Sequence, residues 1–227
     1  MSSFLQILSD LGDPKRAQKS MRYFKATPDA RIDRFWGIRV PTLRVLAAEH
    51  HPIPWSDLTA LLASDYHEAR HLAAIALVLR YQKIKSDRSA CHSFYLEHLD
   101  GFDNWDLVDC SAPTLLGRHL ENQPADLLFQ LAHSPNFWHR RMAMAACEYE
   151  IRKRKFDRAL ALAALLRADP ADLVQKAVGW MVREVGNRNM PAACAFLDEH
   201  APHMARTSLR YALEKFPPEL RLQYMKA

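Results

Sequence analysis

Apolar positions recur along the chain with the period of an amphipathic α-helix. Leu72, Ile75, Ala76 and Leu79 follow the i, i+3, i+4, i+7 spacing of a helix that packs on one side. No alternation of apolar and polar residues, as expected of a strand, continues for more than a few positions. Prolines precede several of these runs, where a first helical turn tolerates them. The pattern predicts an all-α fold.

Four of the predicted helices share a basic residue near their start, followed by alanine or glycine two or three residues later. These basic residues are Arg70, Arg141, Lys176 and Arg210. The last three are 35 and 34 residues apart, and the first two are separated by 71, about twice that spacing. A period of this length predicts a solenoid of stacked helical hairpins, with residues 1–227 as one domain. Chance similarity among Ala- and Leu-rich helices is the alternative, but the basic position and the helix length recur together.

The segment NWDLVDCSAP (104–113) lies midway between Arg70 and Arg141 in this register. The residue at the repeated basic position there is Asp109. In a helix, Trp105 and Asp109 are four residues apart and emerge on one face. One carboxylate that interrupts a row of basic residues indicates chemistry rather than architecture.

Three neighbours of Asp109 have simpler interpretations. Pro113 has no N–H to donate to the carbonyl of Asp109, so we expect the helix to bend or open there. Asp106 is assigned to the start of the helix, where the helix dipole favours a carboxylate. Cys110 has no evident histidine partner and is assigned to the core.

Tryptophans accompany the basic positions. Trp180 is predicted to lie opposite the apolar side of its helix, between Lys176 and Arg183, and Trp138 is close to Arg141. Aromatic rings interleaved with cations are typical of a nucleic-acid surface. The alternative is that a neighbouring helix covers each ring.

Composition limits these interpretations only mildly. Lys and Arg number 31 against 26 Asp and Glu, and a formal charge of +5 permits a polyanionic partner without requiring one. The four cysteines are far apart. We expect neither a phosphate-binding glycine loop nor a zinc-spaced Cys/His set. We therefore expect reduced thiols, no metal and no cofactor. Without a signal peptide or a membrane-spanning run, we expect a cytoplasmic monomer.

Several blocks resemble the AlkD-like DNA alkylation repair family. The resemblance implies a right-handed superhelical solenoid of HEAT-like repeats with a concave basic cleft. It also implies a DNA glycosylase that excises cationic N3- and N7-alkylated purines from double-stranded DNA without base flipping. The blocks are YFK (23–25), FWGIRVPTLR (35–44), NWDLVDCSAPTLLG (104–117), FWHRRMAMA (137–145), KAVGWMVREVG (176–186) and RTSLRYALEKF (206–216).

Carried over by position, the resemblance implies that Asp109 is the catalytic carboxylate. Trp105 and Trp180 would contact the deoxyribose and backbone of the lesion. Asn104 departs from members that carry a second tryptophan at its position. The DNA-binding set implied by the resemblance and by the basic row comprises Arg141, Lys176, Arg183, Arg206, Arg210 and Tyr23.

The chemistry is consistent with a single carboxylate. Glycoside hydrolysis ordinarily uses two carboxyl groups, one of which protonates the leaving group. An N3- or N7-alkylated purine is already cationic and leaves as a neutral base, so Asp109 alone can stabilise the sugar cation and orient water. Two alternatives stay open: a non-catalytic HEAT-like module that binds damaged or branched DNA, and a solenoid whose tryptophans engage a partner helix.

Overall fold

The computed structural model describes residues 3–24 and 33–226, except for the side chain of Tyr23. Within these ranges the chain is helical, and extended pairing is limited to one bridge between Arg34 and Tyr66. The predicted all-α fold is confirmed. Among the described helices, none combines the length and the apolar character needed to cross a membrane.

The chain divides into two compact units, 1–111 and 112–227. In its described part, the first contains three α-helices before residue 50 and four after it, the last of which ends at the boundary. These helices are α1 Ser3–Asp10, α2 Pro14–Tyr23, α3 Val40–Glu49, α4 Trp55–Leu62, α5 His67–Lys83, α6 Arg88–Glu97 and α7 Trp105–Ala112.

The second unit begins with a π-helical segment, Pro113–Arg118, and continues with eight described α-helices. Single 3-10 turns follow α13 and α14. The helices are α8 Asp126–Ala132, α9 Phe137–Ala146, α10 Glu148–Arg152, α11 Asp157–Leu166, α12 Asp172–Gly186, α13 Met190–His200, α14 Arg206–Ala212 and α15 Pro218–Lys226.

Helix α5 is the centre of the first unit and packs against α3, α4 and α6. The sequence placed its buried side along Leu72, Ile75, Ala76 and Leu79. The helix is confirmed, but Ile75 and Leu79 are only half-buried, whereas every residue from 67 to 74 is buried. Because residues 33–38 and the loop before α7 bond to its first turn, α5 buries charged residues as well as apolar ones.

Helix α12 is the corresponding element of the second unit and packs against α9, α11, α13 and α14. Its predicted apolar side is confirmed, since each member is buried: Val174, Ala177, Val178, Met181, Val182 and Val185. Burial of each larger side chain contributes about 1.5–3 kcal/mol. Gly179 allows α14 to approach, because a Cβ there would lie 2.3 Å from the Ser208 carbonyl oxygen.

The predicted opening of the helix at Pro113 is confirmed. The π-helical segment begins at this proline, which cannot donate the N–H that would continue an α-helix. Gly117 lies in the same segment, and a Cβ at this position would come within 2.0 Å of the Ala146 carbonyl oxygen. The loosened turn and the missing side chain together allow the backbone of this segment to approach the end of α9.

Candidate functional site

The repeat register found in the sequence is present in the helices. Asp109 is the fifth residue of α7, and Arg141, Lys176 and Arg210 are the fifth residues of α9, α12 and α14. Arg70 is the fourth residue of α5. A carboxylate therefore occupies, on α7, the fifth helix position, which holds a cation on α9, α12 and α14.

Beside the start of α7 lies a network of two buried cationic side chains and three half-buried carboxylates. We call it the ionic clasp, and its members are Asp33, His67, Arg70, Asp103 and Asp106. His67 donates from Nδ1 to Asp33 Oδ2 at 3.0 Å and from Nε2 to Asp106 Oδ2 at 2.9 Å. Arg70 donates from Nε to Asp103 Oδ1 at 2.9 Å and from Nη2 to Asp33. The clasp thus ties the chain before α3, helix α5 and the first turn of α7 to one another.

The clasp shifts the titration of its members. Burial alone would lower the pKa of His67, but its hydrogen bonds to Asp106 and Asp33 and their negative charges raise that pKa to about 9. Burial would raise the pKa of Asp106, yet the hydrogen bonds from His67 and His71 hold it well below its usual range. The pKa of Asp33 is likewise lowered by His67 and Arg70 despite burial. His67 is therefore an imidazolium between two carboxylates at neutral pH.

Asn104 and Glu68 fix the backbone on either side of the clasp. Asn104 donates from Nδ2 to Asp33 Oδ2 at 2.9 Å, and its Oδ1 accepts from the Trp105 N–H at 2.8 Å. Glu68 accepts three backbone N–H groups of residues 36–38, at 2.7–3.2 Å. The middle one belongs to Gly37, whose φ of 84° suits a residue without a side chain. Asn104, unassigned from the sequence, thus connects Asp33 to the first residue of α7.

An aromatic layer covers the clasp and includes Trp105. The Phe24 ring stacks on Trp105 with centroids 5.7 Å apart and planes 17° apart, and on Phe35 at 5.3 Å. The same Phe24 ring lies 4.6 Å from the imidazole of His67. The aromatic residue expected here from the sequence was Tyr23, whose side chain lies outside the described residues. Phe24, the next residue, backs Trp105 and was not foreseen.

Three other residues of α7 bear on the chemistry of this site, namely Trp105, Asp109 and Cys110. Trp105 and Asp109 are half-buried. The Cys110 thiol donates to the Leu107 carbonyl at 3.4 Å. Burial, together with the nearby charges of Asp106 and Asp109, raises its pKa far above the usual value. A thiol of that kind is no nucleophile, but Cys110 is half-buried and not in the core as expected.

In the second unit, Trp180 is half-buried and lies outside the apolar side of α12, as expected. Its cationic neighbours are paired: Lys176 Nζ lies 2.7 Å from Asp172 Oδ2, and Arg183 contacts Glu214. The last members of the predicted row are exposed at the surface of α14. These are Arg206 and Arg210. Arg206 donates from Nη1 to the Met225 carbonyl at 3.0 Å.

The expectation that Arg70 and Arg141 lie in an exposed basic row is wrong. Arg70 is 0% exposed and belongs to the clasp, and Arg141 is only 5% exposed, with its Nη1 donating to the Leu173 carbonyl. Trp138, also 5% exposed, is in the core, as the alternative of a covering helix proposed. The basic residue in the first turns of these helices therefore faces a neighbouring segment in some helices and solvent in others. The contact of Arg141 with DNA phosphates stays a prediction.

Sequence reasoning assigned Asp106 only to the helix start and did not anticipate its histidine partners. The signal was the block HEARH (67–71), which puts two histidines four residues apart on α5, so the expectation that the chain lacks a zinc-spaced histidine pair is wrong. His67, His71 and Asp106 have ligand atoms within 4.8 Å of one another, so this trio could hold a metal ion. However, both ring nitrogens of His67 are hydrogen-bonded to carboxylates, and coordination would require the Nε2 bond to be given up.

Comparisons with known proteins show the family and the fold of the chain. Residues 4–216 match the family model for DNA alkylation repair enzyme. A solved structure, a predicted DNA alkylation repair enzyme from Enterococcus faecalis, aligns with a TM-score of 0.70 at 19% identity. The alignment covers 91% of this chain and 97% of that one, which shows a shared fold. No curated protein sequence gives a significant match. Because the family model spans nearly the whole sequence, the chain belongs to the DNA alkylation repair enzyme family.

Proposed function

We propose that the protein is a DNA glycosylase that hydrolyses the N-glycosidic bond of cationic N3- and N7-alkylated purines in double-stranded DNA, without base flipping. The observation that carries the proposal is the pairing of Trp105 and Asp109 on successive turns of α7, with the first turn held by the ionic clasp. An aromatic face and a carboxylate at this spacing suit a sugar that becomes cationic.

The proposed reaction uses one carboxylate. The bond between C1′ and the purine nitrogen breaks, its electron pair neutralises the alkylated base, and positive charge develops on the deoxyribose. Asp109 stabilises that charge and orients a water molecule, whose oxygen bonds to C1′ while its proton passes to the carboxylate or to solvent. The products are the free alkylated base and an abasic site. The reaction needs no acid for the leaving group, no metal and no cofactor.

Further DNA contacts are assigned to side chains of the second unit. By family resemblance, Trp180 contacts the deoxyribose and backbone, and the cations around it contact phosphates within a HEAT-like solenoid. Exposed Arg206 and Arg210 suit phosphate contact best, since Lys176 and Arg183 have to exchange carboxylate partners for phosphates. Such contacts make binding depend on salt concentration. We further propose that the protein acts as a cytoplasmic monomer.

The direct test uses a duplex oligonucleotide with a single 7-methylguanine. Incubation with excess protein should release 7-methylguanine, detected by chromatography, and leave an alkali-labile abasic site. The same duplex with guanine is the control and should stay intact. Salt-sensitive binding without base release would identify a non-catalytic DNA-binding module instead. Absence of both would overturn the assignment to DNA.

A further inference from the structure

His67 contacts carboxylates from two segments that flank its own helix. It is 3% exposed, and its two ring nitrogens donate to Asp33, in the chain before α3, and to Asp106, on the first turn of α7. Asp106 follows Trp105 directly in the sequence and precedes Asp109 by less than one turn. A side chain that holds Asp106 therefore holds the part of α7 that carries both proposed catalytic groups.

The charges around His67 make its proton necessary to the clasp. Carboxylates face this region from three elements: Asp33 from the chain before α3, Asp103 from the loop before α7, and Asp106 from α7. Arg70 is the guanidinium among them, and the His71 Nδ1 lies 3.3 Å from Asp106 Oδ2. Three half-buried carboxylates close to one guanidinium would be destabilised without further positive charge. The imidazolium supplies one such charge and donates to two of the three.

The aromatic layer gives His67 a second path to Trp105. Phe24 contacts the imidazole on one side at 4.6 Å and stacks on Trp105 at 5.7 Å. Movement of the imidazole would disturb the ring that backs Trp105 as well as the carboxylate that follows it. Displacement of a reacting group by about 1 Å can slow a reaction by about a hundredfold.

We infer that His67 is a positioning residue for base excision: its imidazolium, bridging Asp33 and Asp106 beneath the Phe24–Trp105 stack, sets the placement of Trp105 and Asp109. The inference rests on the proposed glycosylase function. It makes the excision rate depend on a side chain that contacts neither DNA nor the reacting atoms.

The test compares His67→Gln with His67→Gln/Asp106→Asn in single-turnover excision of 7-methylguanine. Glutamine loses the charge and leaves Asp106 facing a neutral amide, so the rate should fall at least about tenfold. Asparagine at 106 restores a neutral hydrogen-bonded pair and should recover most of that loss. His98→Gln is the matched control, because His98 stacks on Phe94 in the same unit without contacting the clasp. It should excise at the wild-type rate.

A purely structural role for His67 gives a different result. It would lower the melting temperature of His67→Gln but leave the rate of the folded protein unchanged, which would overturn the inference. If His67→Gln does not fold, His67→Asn replaces it, because it also removes the bridge between Asp33 and Asp106. Its excision rate should fall at least about tenfold, and a folded His67→Asn protein with the wild-type rate would overturn the inference.

The Trp105 indole N–H resonance, assigned with Trp105→Phe, separates this inference from the proposed function. It should shift in His67→Gln and return in the double variant, whether or not the protein excises bases. A shifted resonance in a protein without activity would mean that the proposed function fails while the positional link holds. An unmoved resonance would overturn the link itself.

Discussion

Loss of the His67 proton should remove a measurable part of the folding free energy. The pKa of His67 is about 9 in the folded protein against an ordinary value of 6.5. Each pKa unit corresponds to about 1.4 kcal/mol, so the raised pKa corresponds to about 3 kcal/mol of stability. The folded state binds the proton more tightly than the unfolded state. This contribution is therefore complete below pH 6.5 and is lost as pH rises through about 9.

Urea denaturation from pH 6 to pH 9.5 measures this loss. Wild-type protein should lose about 3 kcal/mol more than His67→Gln over that range, at up to about 1.4 kcal/mol per pH unit. His98→Gln should follow the wild-type curve, because it leaves the clasp intact. Other groups that titrate in this range do so in all three proteins and cancel in the comparison. Parallel curves for wild type and His67→Gln would refute the assignment of an imidazolium to the clasp.

Acid should destabilise the clasp for the opposite reason. The pKa values of Asp33 and Asp106 are lowered by folding, so their contribution is present above the ordinary carboxyl pKa of 3.8 and is lost as pH falls below it. The double variant His67→Gln/Asp106→Asn should show a weaker loss in this range than wild type.

Three further predictions concern separate features. Trp180→Ala should lower excision at least about tenfold while costing far less than the 3–5 kcal/mol of a buried tryptophan; a large drop in melting temperature would return this ring to the core. Zinc chloride or EDTA should leave melting temperature and excision unchanged. A one-to-one zinc complex lost in His71→Ala would instead make His67, His71 and Asp106 a metal site. Gly179→Ala should lower the free energy of unfolding, measured by urea denaturation, by about 1–3 kcal/mol, because the new methyl group would overlap the Ser208 carbonyl oxygen. An unchanged free energy of unfolding would mean that α14 can move away at little cost.

The sequence predicted those features that depend on local spacing. The helix class, the apolar side of α12 and the opening at Pro113 all follow from periodicity and from the missing N–H of proline. The repeat register also survived, since it depends only on distances along the chain. The position of Asp109 on its helix and its spacing from Trp105 were therefore predictable.

Features that depend on which segments meet were not predictable in the same way. Asp33 and Asp106 are 73 residues apart, yet both bond to His67. Arg70 and Arg141 occupy the predicted helix positions, but nearby segments enclose them, and spacing alone cannot distinguish an enclosed cation from an exposed one. Phe24 was overlooked because resemblance directed attention to Tyr23.

The most direct measurement is the single-turnover rate of 7-methylguanine excision by Asp109→Asn. The change keeps the size of the side chain and removes the negative charge proposed to stabilise the sugar cation, so the rate should fall on the order of a hundredfold or more. DNA affinity should hold or rise, because an anion is removed from a surface that binds phosphates. Asp126→Asn, at an exposed carboxylate of α8, is the control and should excise at the wild-type rate. A folded Asp109→Asn protein that excises at the wild-type rate would contradict the assignment of catalysis to this residue.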